Sequence, residues 1–182
     1  MQWTIPGTVL RIERDNADGV EEMFSSMFLA GGMVLSQVAS ITGLEPYTVQ
    51  NWVKRGFLSP PKNKRYTLQQ LCRILHINML KDVMPLERIC SLLRYINGKL
   101  DQEDDDIIDD AALYFLFVRL AARAKQLDDP AVWRQAMEEA LCNYCEPVPG
   151  ARERIEKALR IMLMGKVASK MARTAERMLD EL

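Results

Sequence analysis

Residues 35–67, LSQVASITGLEPYTVQNWVKRGFLSPPKNKRYT, constrain the fold more tightly than any other part of this chain. Gly43 and Pro46 stand three residues apart inside an apolar-periodic stretch. Glycine takes positive φ without a Cβ clash, and proline is preset for the first position of a helix. That spacing leaves room for a short helix, a tight turn and a second short helix. The first is expected over 36–42, capped by Ser36, with Val38, Ala39 and Ile41 facing inward and Leu44 plugging the turn. The second, over 46–55, puts Val49, Trp52 and Val53 on one face and leaves Tyr47, Thr48, Gln50, Asn51 and Lys54 outward. The stretch FLSPPKNKRY that follows reads as extended, enough for a small hairpin.

Charge is concentrated here. Across 182 residues, 24 Lys and Arg nearly balance 25 Asp and Glu. Residues 34–100 nevertheless hold ten bases against three acids, and residues 101–129 hold three against nine. Within 35–67 the cations are Lys54, Arg55, Lys62, Lys64 and Arg65, and the one acid is Glu45. Two short helices with amides, hydroxyls and a cation outward on the second form a helix-turn-helix pattern. Gln and Asn pair with adenine edges, and Lys or Arg with guanine or phosphate. A cationic hairpin directly after the second helix suits backbone phosphates beside a groove.

These residues carry a family resemblance. LSQVASITGLEPYTVQNWVKRGFLSPP resembles the start of MerR-type winged-helix regulators, including Ala39, Gly43 and the exit Gly56-Phe57-Leu58. The match continues through RYTLQQLCRILHINMLKDVMPLERICSLL and covers roughly residues 34–94. The early W-x-IP, the PP-x-NKRYT wing and the acidic linker are also similar to a bacterial family of uncharacterised MerR-like proteins. The resemblance implies a transcriptional regulator that binds double-stranded DNA as a homodimer, with phosphate contacts at Lys54, Arg55, Lys64, Arg65 and Tyr66. It departs from the family where the early arginine of the second helix is Gln50, where paired tyrosines are Asn51 and Trp52, and where the wing turn is Asn63-Lys64. Some 33 residues also precede the helix-turn-helix. No particular base sequence carries over.

The expected organisation is mainly α: an N-terminal extension over 1–33 packing on the winged helix, the winged helix-turn-helix over 34–100, and a helical dimerisation or effector domain over 101–182. Further helices are expected over 67–82, 85–96, about 106–127, about 130–144 and from about 150 onward. In the extension, Met23, Phe24, Met27 and Phe28 fall at helical spacing, and Gly31-Gly32 gives a flexible entry. Asp104, Asp105 and Asp106 suit a helix N-terminus. Ile161, Met164, Ala168, Met171, Ala175, Met178 and Leu182 follow a 3–4 alternation that serves either as a dimer seam or as an internal core stripe.

Competing readings remain open. A winged helix also serves as a protein-interaction adaptor without reading DNA. Cys72 and His76 at i, i+4, with Cys142 and Cys145 in CNYC, are candidate zinc or thiol-sensor ligands, though free cysteine is a common core residue. No nucleophile–base pair, phosphate-binding glycine loop or paired carboxylate stands out, so neither an enzyme nor a bound cofactor is expected. A small-molecule effector is compatible with the C-terminal helices. The N-terminus does not read as a signal peptide and no run spans a bilayer, so a cytoplasmic, membrane-free protein is expected.

Overall fold

The computed structural model describes residues 2–98, 106–123 and 130–181. The fold is mainly helical, with a few small antiparallel strands. In chain order these are β1 (Gln2–Thr4), β2 (Arg11–Glu13), α1 (Val20–Met27), β3 (Met33–Val34), α2 (Leu35–Thr42), α3 (Pro46–Lys54), β4 (Arg65–Tyr66), α4 (Leu68–Leu80), α5 (Leu86–Asn97), α6 (Asp110–Ala122), α7 (Pro130–Ala140) and α8 (Ala151–Asp180).

β1 and β2 pair antiparallel, Trp3 opposite Ile12. This hairpin was not expected, because three-residue strands are too short to show a period of two. Its connection is held by Thr8 Oγ1, which donates to the Ile5 carbonyl and accepts from Leu10 N–H, each at 3.0 Å. Gly7 is required where the connection crosses α4: its φ is +75°, and a Cβ there would lie 2.5 Å from the Leu75 carbonyl oxygen. The N-terminal region does not pack on α2 and α3 alone. Val9 N–H donates to the Ile41 carbonyl, but α1 lies on α6, where the Phe24 ring sits 6.0 Å from both Tyr114 and Phe115.

α2 and α3 form as their punctuation dictates. Gly43 ends α2 in the left-handed region, at φ +70°. Pro46 opens α3. Ser36 does not cap α2: the helix begins a residue earlier, with Val34 at the cap and its N–H donating to Gln37 Oε1 at 3.0 Å. Val38, Val49 and Trp52 are buried, and Leu44 and Val53 pack partly buried against the same core. The extended stretch after α3 closes a single bridge between Lys62 and Arg65, and β4 pairs instead with β3, Met33 opposite Tyr66. Pro60 and Pro61 lack the N–H donors that a longer hairpin ladder needs.

α4 occupies the centre, with Leu71 to Ile77 all buried, and its most extensive contacts are with α6. One buried cluster runs from Trp3 to Leu163, so residues on either side of position 101 share a core. Between α4, α5 and α6 lies a polar knot. Arg73 donates to Asp110 Oδ2 at 3.2 Å, and Asn97 Nδ2 donates to Asp110 Oδ1 at 3.2 Å. His76, fully buried, stands edge-on to Tyr114, whose hydroxyl donates to the Pro6 carbonyl at 2.7 Å. α6 starts at Asp110 and is capped by Asp109, which accepts from Ala112 N–H at 2.8 Å. Asp106 therefore lies before the helix, and Asp104 and Asp105 lie outside the described residues.

α7 ends at Ala140, short of the expected 144, and a turn follows. α8 runs for 30 residues, about 45 Å at helical rise. Its first half buries Ile155, Leu159 and Met162, and Gly165 lets it approach the α4–α5 corner: a Cβ there would meet Leu80 Cδ2 at 2.6 Å. Beyond Lys170 every described side chain of α8 is exposed. Among the described residues, no helix is long and apolar enough to cross a membrane.

Candidate nucleic-acid interface

α3 turns a polar face to solvent because its apolar residues recur on the other side. Tyr47 is 70% exposed, Gln50, Asn51 and Lys54 are exposed, and Thr48 is partly covered. α3 leaves through Gly56, at φ +73°, and Phe57 N–H returns to the Trp52 carbonyl at 2.9 Å. Seven residues after Gly56, Asn63 and Lys64 both adopt positive φ, +50° and +62°, and Arg65 N–H donates to the Lys62 carbonyl at 2.9 Å. This left-handed pair is the backbone of a type I′ turn, made without the usual glycine. It presents Lys64 as an exposed cation on a two-residue tip, flanked by exposed Lys62 and Arg65.

The ten residues singled out in the sequence differ in availability. Lys54, Lys62 and Lys64 make no ion pair among the described residues. Arg55 is committed elsewhere: it lies 4.6 Å over the Phe57 ring and donates to Glu87 Oε1 at 2.7 Å. Arg65 donates to the Gly32 carbonyl at 2.9 Å while staying exposed. Tyr66 is 3% exposed, and burial raises its hydroxyl pKa. It is a core residue on β4, so its side chain has a packing role in place of the phosphate contact the resemblance implies.

Several supporting residues escaped sequence reading. Gln70 Nε2 donates to the Ser59 and Pro60 carbonyls at 3.0 Å, and Arg73 Nε donates to the Phe57 carbonyl at 3.2 Å. Both reach back from α4 to fix the loop between α3 and the turn. Gln70 was findable, since Thr67-x-x-Gln70 spells a capping box: Thr67 Oγ1 accepts from Gln70 N–H at 3.2 Å, and Thr67 N–H donates to Gln70 Oε1 at 2.9 Å. Gly32, expected to give flexibility, is instead fixed, at φ +94° with Tyr66 O 2.9 Å from where a Cβ would sit.

The four metal-ligand candidates are not gathered. Cys72 and His76 lie buried in α4, whereas Cys142 and Cys145 are exposed after α7. Among the described residues, no group of three or more His, Cys, Asp and Glu could hold a metal. Burial lifts the Cys72 thiol well above its usual range, further raised by Asp110, and burial lowers His76 to about 3. Neither is a thiolate nor a titrating base at neutral pH.

Residues 30–117, a little under half of the chain, match the family model "Domain of unknown function (DUF1836)". The span runs from just before β3 into α6, and so takes in α2, α3, the cationic turn, α4 and α5. The chain is also similar to "Uncharacterized protein YkrK" of Bacillus subtilis (strain 168), at 25% identity over 109 residues, 58% of this chain. It spans about half the length of that relative, 47%. No solved structure matches. What the two matches support is an uncharacterised bacterial family.

Proposed function

We propose that this protein is a non-enzymatic, MerR-like DNA-binding regulator that reads double-stranded DNA with α3. The observation that carries the reading is the pairing of an exposed polar α3 face with a rigid cationic turn directly after it. Tyr47, Thr48, Gln50 and Asn51 face base edges in the major groove, and Lys54, Lys62, Lys64 and Arg65 hold phosphates beside it. Arg55 joins them only by exchanging Glu87 for phosphate. The clamps from Gln70 and Arg73 keep turn and helix in a fixed relation, which pre-organises the contact surface.

The exposed half of α8 supports a homodimer. Met164, Met171 and Met178 are each more than 60% exposed, and Ala168 and Ala175 lie between them on the same side. That face suits a second copy, whose two-fold axis would match two DNA half-sites. Leu182, the last residue of the expected seam, lies outside the described residues. The same apolar face is what favours the second reading, an adaptor that docks a protein partner.

Fluorescence anisotropy with mixed-sequence duplex DNA, on protein whose mass is fixed by sedimentation, tests the proposal. Submicromolar binding at low salt is expected, with a log–log salt slope of about −3 to −5 per protomer. Lys64→Ala with Arg65→Ala should weaken binding to all sequences alike and flatten the slope by about 2 per protomer. No binding by folded protein at low salt would leave the adaptor reading in its place.

A further inference from the structure

The face of α8 that buries Ile155, Leu159 and Met162 continues along the helix as Lys166, Lys170 and Arg173. The 3–4 spacing is unbroken, but charge replaces the apolar side chains that a packed stripe would carry. Lys166 is half-buried, its ammonium 5.6 Å from the centre of the Trp3 ring. A fourth cation comes from the N-terminal hairpin: Arg14, directly after β2, lies close enough to act on the Lys166 charge, and its Nε is buried with no hydrogen-bond partner. Asp82, at the α4–α5 corner, accepts from Arg173 at 2.8 Å and also from Lys81 at 2.8 Å, so its carboxylate is divided between two cations. Burial first, then Lys170, Arg14 and Arg173, push the Lys166 ammonium down to about 8. Lys166 and the Arg14 Nε sit where water is partly excluded, with Lys170 and Arg173 exposed beside them, and a half-buried cation among like charges is costly unless an anion joins it.

We propose that Arg14, Lys166, Lys170 and Arg173 form a binding site for a small phosphate-bearing ligand, held between the N-terminal hairpin and α8. A phosphate of two or more negative charges is the fitting chemistry: it accepts several charge-assisted hydrogen bonds at once, from guanidinium and ammonium donors together. Trp3, 8% exposed, forms the apolar wall behind Lys166 and not a stacking surface, so the site selects the charged group and not an attached base. The site does not depend on the DNA-reading proposal, since it lies on α8 and the hairpin and uses none of the α3 or turn residues.

The test is thermal unfolding of the full chain at pH 7, titrated with sodium pyrophosphate against sodium chloride of equal ionic strength. A saturable rise of roughly 5 °C above the chloride control is expected for a 1:1 site near saturation. Lys170→Ala, an exposed substitution, should abolish most of it. Lys166→Met should also abolish it while leaving the ligand-free protein at least as stable as the wild type, because a half-buried cation among like charges has been removed. An equal rise in wild type and Lys170→Ala, or none beyond chloride, would overturn the site. A duplex-DNA arm separates the two sources of phosphate: loss of DNA affinity in Lys170→Ala as large as in Lys64→Ala would assign the cluster to nucleic acid and overturn the small-ligand proposal.

Discussion

Arg73→Met is expected to destabilise the protein by about 3–5 kcal/mol, measured by urea unfolding at pH 7. The Arg73 and Asp110 side chains are only 7% and 14% exposed, so removing the guanidinium strands a carboxylate in a place that solvates it poorly. Burial already raises the Asp110 pKa, against the lowering effect of Arg73. Without Arg73 that carboxyl takes up a proton more readily, so the loss should narrow as the pH falls from 8 to 5. Adding Asp110→Asn to Arg73→Met removes the stranded charge and should bring stability back toward the wild type. A double variant no better than the single one would place the cost elsewhere, in the bond from Arg73 to the Phe57 carbonyl or in lost packing. That bond gives the substitution a second consequence: α3 should lose fixed orientation along with stability, because Arg73 joins its exit to the start of α6.

Acidification is expected to weaken the fold well above the range of ordinary carboxylates. His76 has its pKa lowered from 6.5 to about 3, by burial first and by the Arg73 charge second. Below pH 6.5 the unfolded chain therefore binds a proton that the folded one refuses. The stability associated with neutral His76 is whole above pH 6.5 and is lost progressively down to about 3, with a cost of about 2 kcal/mol already at pH 5. Asp110 acts in the opposite sense, because its folded pKa is raised, and its contribution grows only as the pH approaches that value from above. His76→Phe keeps a ring against Tyr114 and should flatten the dependence between pH 6.5 and 5. The check is urea unfolding of both proteins at half-unit intervals; parallel curves would clear His76 of the effect.

Much of the fold was legible where local chemistry decides it. Gly43 and Pro46 each force one backbone choice, so α2 and α3 fall within a residue of expectation. The apolar periodicity of α4, α5 and α8 is long enough to be unambiguous. What failed was tertiary. The β1–β2 hairpin turns one residue per strand inward, Trp3 buried and Ile12 only partly buried, and β4 finds its partner in β3, some 30 residues away, which no local pattern records. Asp109 and not the earlier acids caps α6, because Gln69 from α4 binds it at 3.0 Å and fixes where the helix starts. For the candidate site, the outward face of α3 was readable from helical spacing alone. That Tyr66 is buried and Arg55 is paired with Glu87 was not, since the one depends on what lies across the core and the other on where α5 comes to rest.

The turn at Asn63-Lys64 carries an evolutionary consequence. A non-glycine residue held at positive φ gives up roughly 1 kcal/mol that glycine would recover, and Lys64 is held at +62°. A library of this chain selected for heat resistance alone should drift to glycine at position 64. One selected for the proposed nucleic-acid contact should hold the lysine. The same position thus sets two selective pressures against each other, and sequencing the survivors of each would show which of them the natural residue answers to.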